Sequence, residues 1–290
     1  MPTGKPLYPW DMNPTALTLT LALAASGALA AAPARPVLVV CSPGSPGTTA
    51  EAQPAMDAFA AAVGAKAGLP SLSAVYDESE AGGVERLTGK ESALALVSLP
   101  FYLKHEQDLA LRARLQAVPE GRAEMERWSL VAKKGRVTTP AALAGFKVVS
   151  TAAFAPAFVR GPALGGWGPL PASARIVQSG AVLSSLRRAA AGEPVAVLLD
   201  GAQGAALASL PFASDLEVVA RSAPLPAGVL ATVDARLPAK EWKAIEAALR
   251  ALPEDAAGAR ALAAMQTTRF APVDEKALAG ARKTYAEAGK

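Results

Sequence analysis

The chain has 290 residues, 51% of them hydrophobic and 19% charged, with a mean hydropathy of +0.25. That composition excludes a disordered chain, and the length suffices for two domains of ordinary size. The net charge of +4 is carried by short basic pairs, and aromatic residues make up 5%, so the basic stripe with interleaved aromatics expected of a nucleic-acid binder is missing.

One cysteine, Cys41, excludes an internal disulfide and a thiolate metal cluster, and one histidine, His105, excludes a His-rich zinc site. The inventory argues against a metalloenzyme and implies no cofactor, while a carboxylate-bound cation stays open. A lone histidine near a helix start reads as a surface or capping residue before it reads as a catalyst.

The first element is "TALTLTLALAASGALAAA", an apolar run ending in small residues before Pro33. It reads as a secretory signal peptide over residues 1–32, with an uncleaved anchor as the alternative. Export places the mature chain in the periplasm.

After Pro36 strands and helices alternate. "PVLVVC" is a short buried strand, "SPGSPGTT" a Gly/Pro loop and "AMDAFAAAVGAKAG" a helix ending at glycine. Thr48 and Glu51 have capping-box spacing, whereas Pro54 favours a helix start nearer Glu51, and both starts stand. "LSAVYD" is a second strand, "EAGGVERLTGK" a short helix and "SALALVSL" a third strand. "HEQDLALRARL" reads as helix from the spacing of Leu109, Arg112 and Leu115, and "EMERWSLVAKKG" as a strand leaving the first unit.

The second unit opens with Thr139-Pro140, a helix N-cap followed by proline. "FKVVS", "ARIVQ" and "PVAVLL" are strands, "PAFVRGPAL" is a broken helical stretch, and "GAVLSSLRRAAAG" is an amphipathic helix. "DLEVVARSAPLPAGVLATV" reads as a return passage, and the tail is helical. The alternation implies an α/β fold of two lobes with mainly parallel sheets flanked by helices.

In such folds ligands sit beyond the carboxyl ends of strands. Four strand ends carry small polar residues: Ser42 with Pro43 and Gly44, Ser150 with Thr151, Ser179 with Gly180, and Asp200 before Gly201. Each is equally readable as a helix cap, so the four together make the case for a cleft. Tyr76 lies one residue before the end of the second strand, and Ser222 opens the returning bend, and both join the ligand-binding candidates.

The segment "ERWSLVAKKGRVTTPAALAGFKVVS" resembles the crossover of bacterial solute-binding proteins of ABC importers. "SGAVLSSLRRAAAGEPVAVLLDG", "DLEVVARSAPLPAGVLATVDARLP" and "MQTTRFAPVDEKAL" are similar to that family's later segments. The similarity runs from Pro36 to Tyr285 and is nearest to the phosphate/phosphonate-binding (PhnD-like) branch of the type II periplasmic binding proteins.

That resemblance implies two lobes joined by two crossovers, lobe one being residues 36–132 and 220–290 and lobe two 133–219. It implies hinge closure on a small polar solute, oxyanions among the candidates, and docking of a monomer on a membrane permease, with no catalysis. A sensor handing its signal to a membrane partner is the alternative. The resemblance adds Pro100 and Tyr102 as contacts and favours Ser150, Thr151 and Ser179. Alanines follow Thr151 where the family has further hydroxyls, which weakens the implication of a phosphonate.

Overall fold

A computed structural model describes residues 35–290 apart from Pro46, and the segment read as a signal peptide lies outside the described residues. In chain order the first elements are β1 (Val37–Cys41), α1 (Thr49–Ala67), β2 (Ser73–Asp77), α2 (Glu80–Thr88), β3 (Ser92–Ser98), α3 (Leu99–His105), β4 (Leu111–Pro119), β5 (Met125–Glu126) and β6 (Ser129–Lys133). Next come β7 (Lys147–Ser150), α4 (Pro156–Phe158) running into a wide helical turn, β8 (Arg175–Gln178), α5 (Val182–Ala190), β9 (Val195–Leu199) and α6 (Gly201–Ala206). The chain finishes with β10 (Leu216–Arg221), β11 (Leu225–Pro226), β12 (Gly228–Val233), α7 (Ala239–Ala251), α8 (Ala256–Ala264), β13 (Thr267–Pro272) and α9 (Glu275–Ala288).

Two main sheets result. The first has the order β13-β4-β12-β3-β1-β2 and the second β10-β6-β9-β7-β8. β1 is parallel to β2 and β3, and β7 to β8 and β9, but β4, β12 and β13 pair antiparallel, as do β6 with β9 and β10. The sheets are therefore mixed, which corrects the expectation of mainly parallel ones. Each chain passage between sheets enters the new sheet against the local strand direction.

The central strands are apolar because they are covered on both faces: β9, "VAVLL", is buried along its whole length. In α1, Met56, Phe59, Ala60 and Val63 are buried at helical spacing. Its capping box closes on Thr48, so the helix begins at Thr49 and takes Pro54 inside it.

The helix expected across "HEQDLALRARL" is only a turn followed by β4. Leu111, Ala113 and Leu115 alternate with Arg112 and Arg114, a period of two that outweighs the weaker helical spacing once β12 and β13 supply partners.

Between the sheets, β5 and β11 form a short antiparallel ribbon. Behind it one hydrophobic cluster runs from Val39 and Val97 of the first sheet to Val148 and Leu198 of the second. Helix α9 follows the first sheet yet reaches the second: Arg282 pairs with Glu106 at 2.8 Å, while Gly161 lies so close to the Thr284 carbonyl that a Cβ there would overlap it.

Candidate functional site

The site is built from strand ends. The turn after β1 brings Ser45 Oγ to donate to Ser42 Oγ at 2.9 Å, and Gly44 takes φ +80°. A Cβ on Gly44 would stand 3.0 Å from Thr151 Cβ, so the loop after β1 and the turn after β7 touch across the gap between sheets. Lys104 makes a second link, donating to the Phe154 carbonyl at 2.8 Å while pairing with Glu80 at 2.6 Å.

A cavity of about 720 Å³ lies in this gap, within the size range of small-molecule sites. Ser42, Gly44, Tyr76, Ser98 and Pro100 face it from the first sheet's side, Thr151, Phe154 and Asp200 from the second's, and Glu126 and Trp128 from the crossover between them.

Asp200 has two roles. Its carboxylate accepts from Gln203 N at 2.8 Å, and Gln203 Oε1 accepts from Asp200 N at 3.2 Å, a full capping box on α6. It also lines the cavity. Burial raises its pKa, against which the N–H groups of Gln203 and Ala202 and the charge of Arg122 work.

Glu126 sits beside it. Its Oε2 accepts from Gly201 N at 3.1 Å. Burial, then the negative charge of Asp200, push its pKa up to about 7, while the Gly201 N–H, Arg122 and Trp128 oppose the rise. No lysine, arginine or histidine nitrogen comes within ion-pair distance of either carboxylate among the described residues.

Trp128 is 4% exposed, and its ring meets Phe158 edge-on at 5.0 Å. Its indole N–H leans toward the Glu126 carboxylate, whose acidity it increases, without closing a hydrogen bond to it or to any other described atom. The hydroxyl of Ser98 is likewise buried and without a partner.

Of the candidates read from sequence, Ser42, Pro43, Gly44, Tyr76, Pro100, Thr151 and Asp200 stand around this cavity. The other five stand elsewhere. Ser150 is fully buried, donating to the Leu198 carbonyl at 2.9 Å and capping the turn that follows. Ser179 accepts from Ala181 N at 3.1 Å, and Gly180 approaches Gly44 at the rim. Tyr102 is buried beneath α9, its hydroxyl accepting from Arg282 at 2.7 Å. Ser222 is a clasp in the crossover, bonded to Trp128.

His105 contacts Glu80 at 2.8 Å on α3, away from the cavity wall. Sequence reasoning missed Glu126, Trp128, Ser98 and Arg122. The "EMERW" stretch read as a departing strand, and no periodicity marks a carboxylate that matters only where two sheets meet. Among the described residues no group of three histidine, cysteine or carboxylate side chains could hold a metal ion.

Residues 174–278 match the family model described as the phosphonate periplasmic substrate-binding protein of ABC transporters. No curated protein matches the chain in sequence. Among solved structures, XAC2383 from Xanthomonas citri bound to chloride ion superposes with a TM-score of 0.69 at 15% identity, covering 87% of this chain and 97% of that one. A binding protein component of an ABC phosphonate transporter from Pseudomonas aeruginosa gives 0.62 at 15% identity, covering 88% and 87%. PhnD1 from Prochlorococcus marinus in complex with methylphosphonate gives 0.61 at 12% identity, covering 88% and 99%. At these identities the structures speak for the fold alone, which is the two-lobed fold implied by the resemblance. Residues 174–278 thus match the model of that substrate-binding family, and the fold around them is that of two-lobed periplasmic binding proteins.

Proposed function

We propose that the chain captures one small polar solute in the gap between its two sheets and delivers it to a membrane permease. The observation that carries this reading is the 720 Å³ cavity walled by strand ends of both sheets. Such a wall is complete only when the two lobes approach each other, which is how a hinged receptor encloses its cargo.

The lobes in this reading are the two sheets with their helices, and the β5–β11 ribbon with the Trp128–Ser222 clasp is the hinge. The protein works as an exported, periplasmic monomer, the segment 1–32 serving as its export signal.

The test is small-angle scattering with solutes that raise the melting temperature. Binding accompanied by a smaller radius of gyration supports capture by closure. Tight binding at unchanged dimensions, with the cavity residues free of solute in a crystal structure, removes it.

A further inference from the structure

Part of the second lobe's cavity wall is one short turn, Thr151–Phe154, whose first and last residues both face the cavity. The first lobe holds that turn at both ends. Gly44 presses on Thr151 at one end. Lys104 takes the other, its Nζ donating to the Phe154 carbonyl at 2.8 Å and standing over the Phe154 ring, 5.8 Å from its centre. One ammonium thus meets the backbone and the π face of the same wall residue.

The ammonium is prepared for this contact inside its own lobe. Glu80, in the first turn of α2, pairs with Lys104 at 2.6 Å and contacts His105 Nε2 at 2.8 Å. The start of α2 and the end of α3 therefore aim Lys104 without help from the second lobe. A side chain already held in place loses little rotamer freedom when it makes one more bond. Lys104 is also 33% exposed, so its charge stays hydrated when the lobes part, and nothing charged is left buried without a partner.

The bond joins residues 50 positions apart and exists only while the lobes are together. A contact made in one of two states shifts their populations by its own free energy. Lys104 is absent from the cavity wall, so it favours closure without choosing what is enclosed.

We propose that Lys104 is a closure latch, a positioning residue that draws the Thr151–Phe154 turn over the gap and slows release of whatever solute is held there. This rests on the reading of the gap as a solute site that closes.

The test compares the parent with Lys104→Met, which keeps the length of the side chain and removes its charge, and with Lys104→Arg, which keeps charge and donors. Circular dichroism and the melting temperature establish folding, and Lys104→Gln replaces Lys104→Met if that variant does not fold. Small-angle scattering without solute measures closure, and surface plasmon resonance with methylphosphonate as the probe measures release. The neutral variant is expected to show a larger solute-free radius of gyration, or methylphosphonate dissociation about tenfold faster at an unchanged association rate, the size expected of one charge-assisted hydrogen bond. Lys104→Arg is expected to restore the parent's behaviour. A lysine that only supports the fold would lower the melting temperature and leave dimensions and release unchanged.

A neutral variant that matches the parent in solute-free dimensions and, where methylphosphonate binds, in its release overturns the latch, as does a defect that Lys104→Arg does not restore. If those matching proteins still compact equally with methylphosphonate, the latch falls and capture stands. If methylphosphonate neither binds nor compacts the chain, the solute-free comparison alone decides the latch, and capture is left to other solutes that raise the melting temperature.

Discussion

Trp128 and Ser222 lock the two crossovers together. Trp128 N donates to Ser222 Oγ at 2.9 Å, Ser222 N donates to the Trp128 carbonyl at 2.9 Å, and Arg127 donates to the Ser222 carbonyl at 2.9 Å. One residue on each passage thus fixes the other just where the chain changes sheets. The side chain of Trp128 then extends from this fixed point to the cavity wall.

Removing the clasp tests its weight. Ser222→Ala leaves the buried Trp128 N–H without its acceptor, a loss of about 1–3 kcal/mol. Thermal denaturation is expected to show a lower melting temperature, and an unchanged midpoint speaks against a structural clasp at this position.

The acidity of Glu126 predicts how stability follows pH. Its folded pKa of about 7 lies above its ordinary value of 4.5, so folding holds the proton more tightly than the unfolded chain does. The stabilisation is fully present below about pH 4.5 and is lost as pH rises through 7, by at most about 3 kcal/mol. Asp200 shifts in the same direction. Denaturant titrations from pH 4.5 to 8 are expected to lose less stability in Glu126→Gln than in the parent. Parallel curves would show that this carboxyl does not govern the decline.

Cys41 is predicted to be inert in the folded chain. Burial, reinforced by the charges of Asp77, Glu80 and Glu78, pushes its thiol up to about 12, and Sγ donates to the Ser79 carbonyl at 3.3 Å. A thiol that keeps its proton and has no solvent path is a poor nucleophile. Maleimide labelling at pH 7.5 is expected only after denaturation, and rapid labelling of native protein contradicts the burial.

Gly44 predicts a steric block. Its φ of +80° disfavours any side chain, and even a Cβ presses on Thr151 across the gap. Gly44→Val is expected to weaken solute binding at least tenfold, about 1.4 kcal/mol, and to keep the chain expanded in scattering. Wild-type affinity in the variant shows that the lobes do not need this contact.

Much of the fold is readable in local pattern. The apolar runs of β1, β3 and β9 announce strands covered on both faces, and the spacing in α1 and α5 announces helices. The reading failed at β4, where an alternating "LRARL" also has Leu109 and Leu115 near helical positions, and only partner strands decide between them. At the site, Ser42 and Asp200 are visible as polar residues closing strands, and both face the cavity. Ser150 carries the same signal but is spent inside its own sheet on the Leu198 carbonyl. A polar strand end marks a position at a sheet's edge, and the surrounding backbone determines whether the side chain is free to turn outward.

By itself the sequence determined which segments become strands and helices, because burial and capping act over a few residues and leave periodic traces. Tertiary structure alone decided that Glu126 meets Asp200, residues 74 positions apart, and that Trp128 presents an unpartnered N–H beside them. Charge repulsion and desolvation depend on distance in space, and nothing in the local pattern of either strand encodes which carboxylate the other will face.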